Sequence, residues 1–139
     1  MPATIFAINR SLNSDFGGIS GSAPATYYLG LSTTALTSLD TSGSVATEPS
    51  ASYGYERYPL PNDKSTWTTA TAGSLVNAIS GSFASTSTAW GTIRSAFLAD
   101  DSAIGSGTIW YYYTLSPVLI VQENTTVVFE ENSIIASRV

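Results

Sequence analysis

Ile5, Ala7, Ile8 and Leu12 recur at near-helical spacing and are followed by Gly17 and Gly18. This pattern predicts a short helix closed by a glycine cap. Residues 19–24 read as turn. From residue 26 the period changes to two: Tyr27, Leu29 and Leu31 alternate with Tyr28, Gly30 and Ser32, which predicts a strand over 26–33. Residues 35–52 hold Ser, Thr, Gly, Asp and Pro49 with no sustained period and read as a long loop. A second alternation sets Tyr53, Tyr55 and Arg57 against Gly54, Glu56 and Tyr58. It predicts a strand over 53–60, and Pro59 and Pro61 place that strand at a sheet edge. Shorter strands are expected at 67–71 and 75–83, the latter with Val76, Ala78 and Ile79 turned inward.

The second half is more regular. Ile93 and Phe97 mark a long strand over 89–98, and residues 100–107 are a turn rich in Asp, Ser and Gly. Residues 108–115 are strongly β-forming, and a further strand at 117–121 follows almost at once. Strands at 125–129 and 133–137 are set off by polar turns. Many short strands between turn signals make an all-β fold. The expectation is an antiparallel β-sandwich, jelly-roll-like, in one domain over 1–139, with an N-terminal helical arm at 1–18 and the sandwich at 26–137. The expected core is Tyr27, Leu29, Leu31, Ile79, Phe83, Ile93, Phe97, Trp110, Tyr112, Leu119, Val121, Val127 and Phe129. No internal repeat, heptad array or collagen-like register is present.

Composition narrows the chemistry. The chain has no Cys and no His, which removes disulfides, thiolate nucleophiles, imidazole acid–base catalysis and the usual transition-metal ligands. Ten acidic residues against five basic ones give a net charge of −5, with no basic patch for nucleic acid. Only 11% of residues are charged, and Ser and Thr supply about 40 of the 139 instead. Such a surface suits a β-domain in water and equally one that lies against neighbours, where Lys and Glu are depleted. The longest clean apolar run, residues 118–121, is far short of the ~20 a membrane helix needs. Residues 1–9 do not read as a signal peptide, so synthesis and assembly in a cytoplasm are expected.

Candidate chemistry is sparse. Asp100 and Asp101 could offer paired carboxylates for Ca²⁺, but they read first as ordinary turn residues. Glu123, Glu130 and Glu131 are the acids a glycosidase would need, but nothing places them in an apolar pocket. Lys64, the single lysine, sits in a polar turn, and no nucleophile elbow or phosphate loop occurs. Arg57 and Arg94 read as structural ion-pair partners. No catalytic, cofactor-binding or metal residue is assigned. The distinctive feature is the run Trp110, Tyr111, Tyr112 and Tyr113. Trp110, Tyr111 and Tyr113 are candidates for interface anchors or for a sugar-stacking platform.

Read in order, the motifs carry a resemblance. PATYYLGLSTTA occupies 24–35, TEPS at 47–50 leads into GYER at 54–57, and AWGTI at 89–93, Asp100 and LSPV at 115–118 follow. This series resembles small virion proteins of tailed bacteriophages, of the tail fibre or minor tail type, over about residues 3–136. Glu56 stands where a small residue is usual in such proteins. The resemblance implies a structural role and no active site.

The expected function is that of a structural, non-enzymatic accessory protein of a tailed-phage virion, associated with the tail or fibre and assembled in the bacterial cytoplasm. Its partners would be itself, in a closed homo-oligomer such as a trimer, and other virion proteins, with host surface glycan as a further candidate and neither nucleic acid nor membrane. Two alternatives stand beside it. One is a capsid decoration (cement) protein stabilising the head, with residues 35–52 and the N-terminal segment as clamping arms. The other is a carbohydrate-binding module.

Overall fold

The computed structural model describes residues 1–18, 21–84 and 88–137. The first two residues of the turn expected at 19–24 lie outside that set. Helix α1 runs Ile5–Gly17, and Gly18 caps it in the left-handed conformation, its N–H donating to the Asn13 carbonyl. Among the described residues eight strands follow: β1 Thr26–Ser32, β2 Tyr58–Pro61, β3 Ser74–Val76, β4 Gly81–Ala84, β5 Gly91–Ala99, β6 Ile109–Val121, β7 Thr126–Phe129 and β8 Ile135–Ser137. Two single turns of 3₁₀ helix, Gly43–Val45 and Ala51–Tyr53, punctuate the long loop between β1 and β2.

Strand pairing is antiparallel throughout. The main sheet has the order β2-β1-β5-β6, and two ribbons, β3-β8 and β4-β7, complete the fold. One apolar core joins them. Leu29 and Leu31 of β1, Leu60 of β2, Ile93 and Leu98 of β5 and Val121 of β6 pack with Phe83 of β4 and Ile134, and with Val127 and Phe129 of β7. The fold is the expected antiparallel sandwich with a short N-terminal helix. Its second layer is split into two ribbons, which separates it from a jelly roll of two continuous sheets. A smaller cluster of Leu36, Ala46, Phe97, Ala99 and Ile109 lies on the other face of the main sheet.

Close packing explains one glycine in β1. Gly30 pairs with Phe97 across the ladder, and a Cβ on Gly30 would fall 2.2 Å from Phe97 Cζ. The Phe97 ring occupies that space, fully buried.

The N-terminal residues join the parts. Ala3 bridges Tyr111 of β6 in antiparallel fashion, and Pro2 bridges Ser137 of β8 in parallel. Thr4 N–H donates to Trp110 O (2.9 Å) and Tyr112 N–H to Pro2 O (3.1 Å). The Thr4 hydroxyl, fully buried, donates to Ile109 O at 2.7 Å. On the other side Ser137 N–H donates to Met1 O, and the Met1 amino group donates to Ile135 O. The first four residues thus stitch the main sheet to the β3-β8 ribbon.

Several expectations are corrected. The strand at 53–60 contracts to Tyr58–Pro61. Residues 55–57 keep the alternating burial that suggested a strand, but they have no strand partner and are held by side-chain hydrogen bonds instead. Pro59 and Pro61 lie within β2 and, as expected, at the sheet edge. The segment 67–71 makes only isolated bridges, Trp67 to Asn77 and Thr71 to Ser74. The segment 75–83 divides between β3 and β4, which belong to different ribbons. The strands expected at 108–115 and 117–121 are one strand, β6. Between Ile93↔Leu119 and Ser95↔Thr114, four β6 residues, 115–118, face Arg94 alone. Leu119, an expected core residue, is 37% exposed and sits in the wall of an apolar groove at the edge of the core. Ile79, Tyr112, Val127 and Phe129 are half-buried and pack against the edges of the core.

Candidate functional site

The aromatic run is shaped by a bulge. Ala99 pairs with Ile109 and Leu98 with Tyr111, so Trp110 is the extra residue and turns to the same side as Tyr111. Trp110 is buried, edge-on to Phe6 (5.1 Å between centroids) and Tyr27 (6.0 Å), with the Arg10 guanidinium 4.9 Å from its ring centre. Tyr111 is also buried, edge-on to Tyr27 at 6.1 Å. Trp110 is enclosed by Phe6, Tyr27 and Arg10, whereas Tyr111, though buried, forms part of the wall of a cleft. The two large side chains also fill the seat of the N-terminal segment. Tyr113 is different: it is 47% exposed. It borders an apolar groove of about 330 Å³ whose walls include Leu31, Leu115, Leu119, Val127 and Phe129.

A second cleft, of about 360 Å³, lies on the opposite flank of Tyr111. Tyr27, Trp67, Leu75 and Leu98 line it with Tyr111, and Asn62, Asp63 and Lys64 contribute polar groups. The buried Trp67 Nε1 has no hydrogen-bond partner among the described residues. Asp63 is committed locally: its Oδ1 accepts from the hydroxyl and amide of Ser65 and the amide of Thr66. The Ser65 hydroxyl and these amides hold its carboxyl below the ordinary aspartate value.

The charged centre of the molecule is Arg57 with Glu48, the single ion pair among the described residues. Both side chains are fully excluded from solvent. Arg57 Nε and Nη2 donate to the two Glu48 oxygens at 2.9 and 2.8 Å, while Nη1 donates to the carbonyls of Asp101 and Ser106. Glu48 also accepts from the Tyr55 hydroxyl (2.7 Å) and the Gly105 amide (2.8 Å). Tyr55 oxygen in turn accepts from Leu31 N–H at 2.9 Å. Burial, and then the negative charge of Glu48, push the Tyr55 phenol well above its ordinary range. The geometry suits a structural pin rather than a reaction. Arg57 makes four hydrogen bonds through its guanidinium, and the network ties the 42–54 loop, β1 and the 100–108 turn together. Gly43 lets the loops cross, because a Cβ there would sit 2.0 Å from Ser106 O. The ion-pair role expected of Arg57 is what the structure has. Arg94 is exposed and makes no ion pair among the described residues.

The paired aspartates act as turn residues. Asp100 accepts from Thr108 N–H (2.7 Å) and Trp110 Nε1–H (3.1 Å), and Asp101 accepts from Ala103 N–H (2.8 Å). Glu123, Glu130 and Glu131 are exposed, as is Glu56.

The motifs behind the resemblance converge on this scaffold. Glu48 comes from TEPS, Tyr55 and Arg57 from GYER, and Leu31 from the first strand. Trp90 of AWGTI donates its indole N–H to Tyr53 O at 2.9 Å. The sequence reading missed the pairing of Glu48 with Arg57; two acids, Glu48 and Glu56, lie near Arg57, and the alternation that buries Arg57 and exposes Glu56 is the signal that points to Glu48.

The outward side chains of β6 are uncharged and several of them are apolar. No charged residue occurs between Asp101 and Glu123, and Tyr113, Val118, Leu119 and Ile120 of β6 are exposed. So are Val128 of β7 and Leu12 and Phe16 of α1.

The family model described as Podophage GP4 fiber I protein gp80 matches residues 3–137. No curated protein matches the chain.

Proposed function

The chain belongs to the family of the Podophage GP4 fiber I protein gp80, and from that premise we propose that it is a structural, non-enzymatic part of a tailed-phage particle. It is carried on the tail or fibre apparatus and assembles there with copies of itself and with other virion proteins. The observation that supports this reading is the division of the side chains. The charged network of Glu48, Arg57 and Tyr55 lies inside, whereas α1, β6 and β7 offer large apolar residues to the outside. A chain of net charge −5 meets copies of itself most readily through faces that carry no charge. A chain without Cys folds without disulfides and suits assembly in the reducing cytoplasm of the host.

Immunogold labelling of intact particles with antibody to this chain tests the placement. Label on the tail or its fibres, with loss of adsorption but intact heads when the protein is absent, is the expected result. Label spread over the head, with weakened capsids in its absence, would make it a decoration protein instead.

A second reading has one observation in its favour. The cleft beside Tyr111 combines aromatic walls with an amide, a carboxylate and an ammonium, the side-chain mixture that suits a host surface saccharide. A glycan array probed with the chain at high valency measures this. No glycan above background would remove it.

A further inference from the structure

Helix α1 divides its large apolar residues: Ile8 packs against the core and Phe6 lies edge-on to Trp110, whereas Ile5, Leu12 and Phe16 lie on the side away from the domain. On the domain side Thr4 and Ala7 are buried, and Ile8 and Ser11 are half-buried. On the other side, Ile5 is 39% exposed, Leu12 50% and Phe16 87%. At about 100° per residue, Ile5, Asn9, Leu12 and Phe16 fall within an arc of roughly 60°, with Ala7 nearly opposite. Their spacing is four, three, four, the repeat of a coiled-coil seam with Ile5 and Leu12 at d and Asn9 and Phe16 at a.

We propose that α1 is a self-recognition helix. Ile5, Asn9, Leu12 and Phe16 of one copy pack against the same four residues of a second copy, parallel and in register. This rests on the fibre reading for its setting, and it names the surface through which copies meet.

Asn9 is the residue that selects the partner. In a foreign apolar groove its amide would be buried without a partner. A parallel identical helix sets amide against amide at the same level, where each satisfies the other and fixes the register. An antiparallel copy would set Asn9 against Leu12. Charge agrees: Arg10 and Asp15, the only charges on α1, cancel and lie off the seam, so two chains of −5 can meet there with least repulsion. The domain bodies then lie on the far sides of the helix pair. Leu39, 76% exposed, widens the patch, since Ile5 N–H donates to the neighbouring Ser38 O at 2.8 Å. A patch of this kind covers on the order of a few hundred Å², below the ~800 Å² per partner of a stable free-standing dimer. The pair is therefore weak when dilute and forms at the local concentration of an assembled fibre.

The absence of Cys makes the test clean. Asn9→Cys places one thiol on the seam, and Ser14→Cys places one off it. Under mild oxidation of the full chain, Asn9→Cys should accumulate as a disulfide-linked pair at least tenfold faster than Ser14→Cys. The wild-type sedimenting mass should rise toward twice the monomer as concentration approaches about 1 mM. Phe16→Asp should abolish that rise with the melting temperature unchanged. Equal cross-linking of the two Cys variants, or a wild-type chain that stays monomeric throughout, would overturn the proposal. So would faster mixed cross-linking between Ile5→Cys and Phe16→Cys, which reports an antiparallel pair. Particle labelling is independent of these readouts: tail label without cross-linking removes the helix pairing alone, and cross-linking without tail label removes the fibre placement alone.

Discussion

Arg57 holds Glu48 in a two-pronged grip, with nitrogen–oxygen distances of 2.9 and 2.8 Å, at a point where no solvent reaches either side chain. Removing one partner of such a pair leaves a buried charge uncompensated, which costs about 3–5 kcal/mol. Glu48→Ala should lower the melting temperature by roughly 10 °C or more. Glu48→Gln, which keeps an acceptor for Tyr55 or Gly105, should cost less. Thermal and urea denaturation of the two variants measure the difference, and a loss below about 1 kcal/mol for Glu48→Ala would mean that the pair is not isolated from water.

Tyr55 makes stability depend on pH at the alkaline end. Its phenol is held above the ordinary value of 10.0 by burial and by Glu48, so the folded state favours the protonated form. The stabilisation is complete below pH 10 and is lost as pH rises beyond it, with a slope of about 1.4 kcal/mol per pH unit for one proton. Tyr55→Phe removes this slope. It also leaves the Leu31 N–H without its acceptor, a penalty of about 1–3 kcal/mol at neutral pH. Denaturation midpoints at pH 7 to 11 should show the wild type and Tyr55→Phe converging as pH increases.

Gly30 has no room for a side chain. Gly30→Ala forces a methyl group into the Phe97 ring and should cost at least about 1–3 kcal/mol. Pairing it with Phe97→Leu should recover part of that loss. Strict additivity of the two single changes would show that the ring is not what crowds the position.

Asp100 closes the β5-β6 hairpin through Thr108 and the Trp110 indole. Asp100→Ala strips both donors of their acceptor and should destabilise by about 1–3 kcal/mol. Asp100→Asn, with one carbonyl oxygen left, should be milder. Tryptophan emission should shift to the red in Asp100→Ala as the indole gains contact with water.

β1, with its clean two-residue period, was legible in the sequence, as were the long strand β5 and the glycine-capped helix. Legibility failed where a pattern had a second cause. Residues 55–57 alternate because Tyr55 and Arg57 reach a buried polar network, not because they pair in a sheet. Strict alternation would set Trp110 and Tyr111 on opposite faces of the strand, and the bulge brings both inside. Ile5 and Leu12 share a helical period with Ala7 and Ile8, yet the structure divides them between outside and inside. A period shows that a face exists; only packing shows which side of the helix the domain takes. Glu48 and Arg57 were each visible, but their meeting depends on a loop whose path no local pattern encodes.

The placement of residues 1–4 between β6 and β8 has a consequence for how the molecule is made. Ala3 waits for Tyr111 of β6 and Pro2 for Ser137 of β8, so these contacts close only after those strands have formed. Closure over such long sequence separations is slow. Until it occurs, β6 shows a bare, uncharged edge of the kind that nucleates misassembly between neighbouring chains. Residues 2–4, bonded to Trp110 and Tyr112, shield that edge once they have docked. An alteration that weakens their hold, such as replacement of the buried Thr4, should be felt as insoluble product during synthesis before any loss in the finished particle.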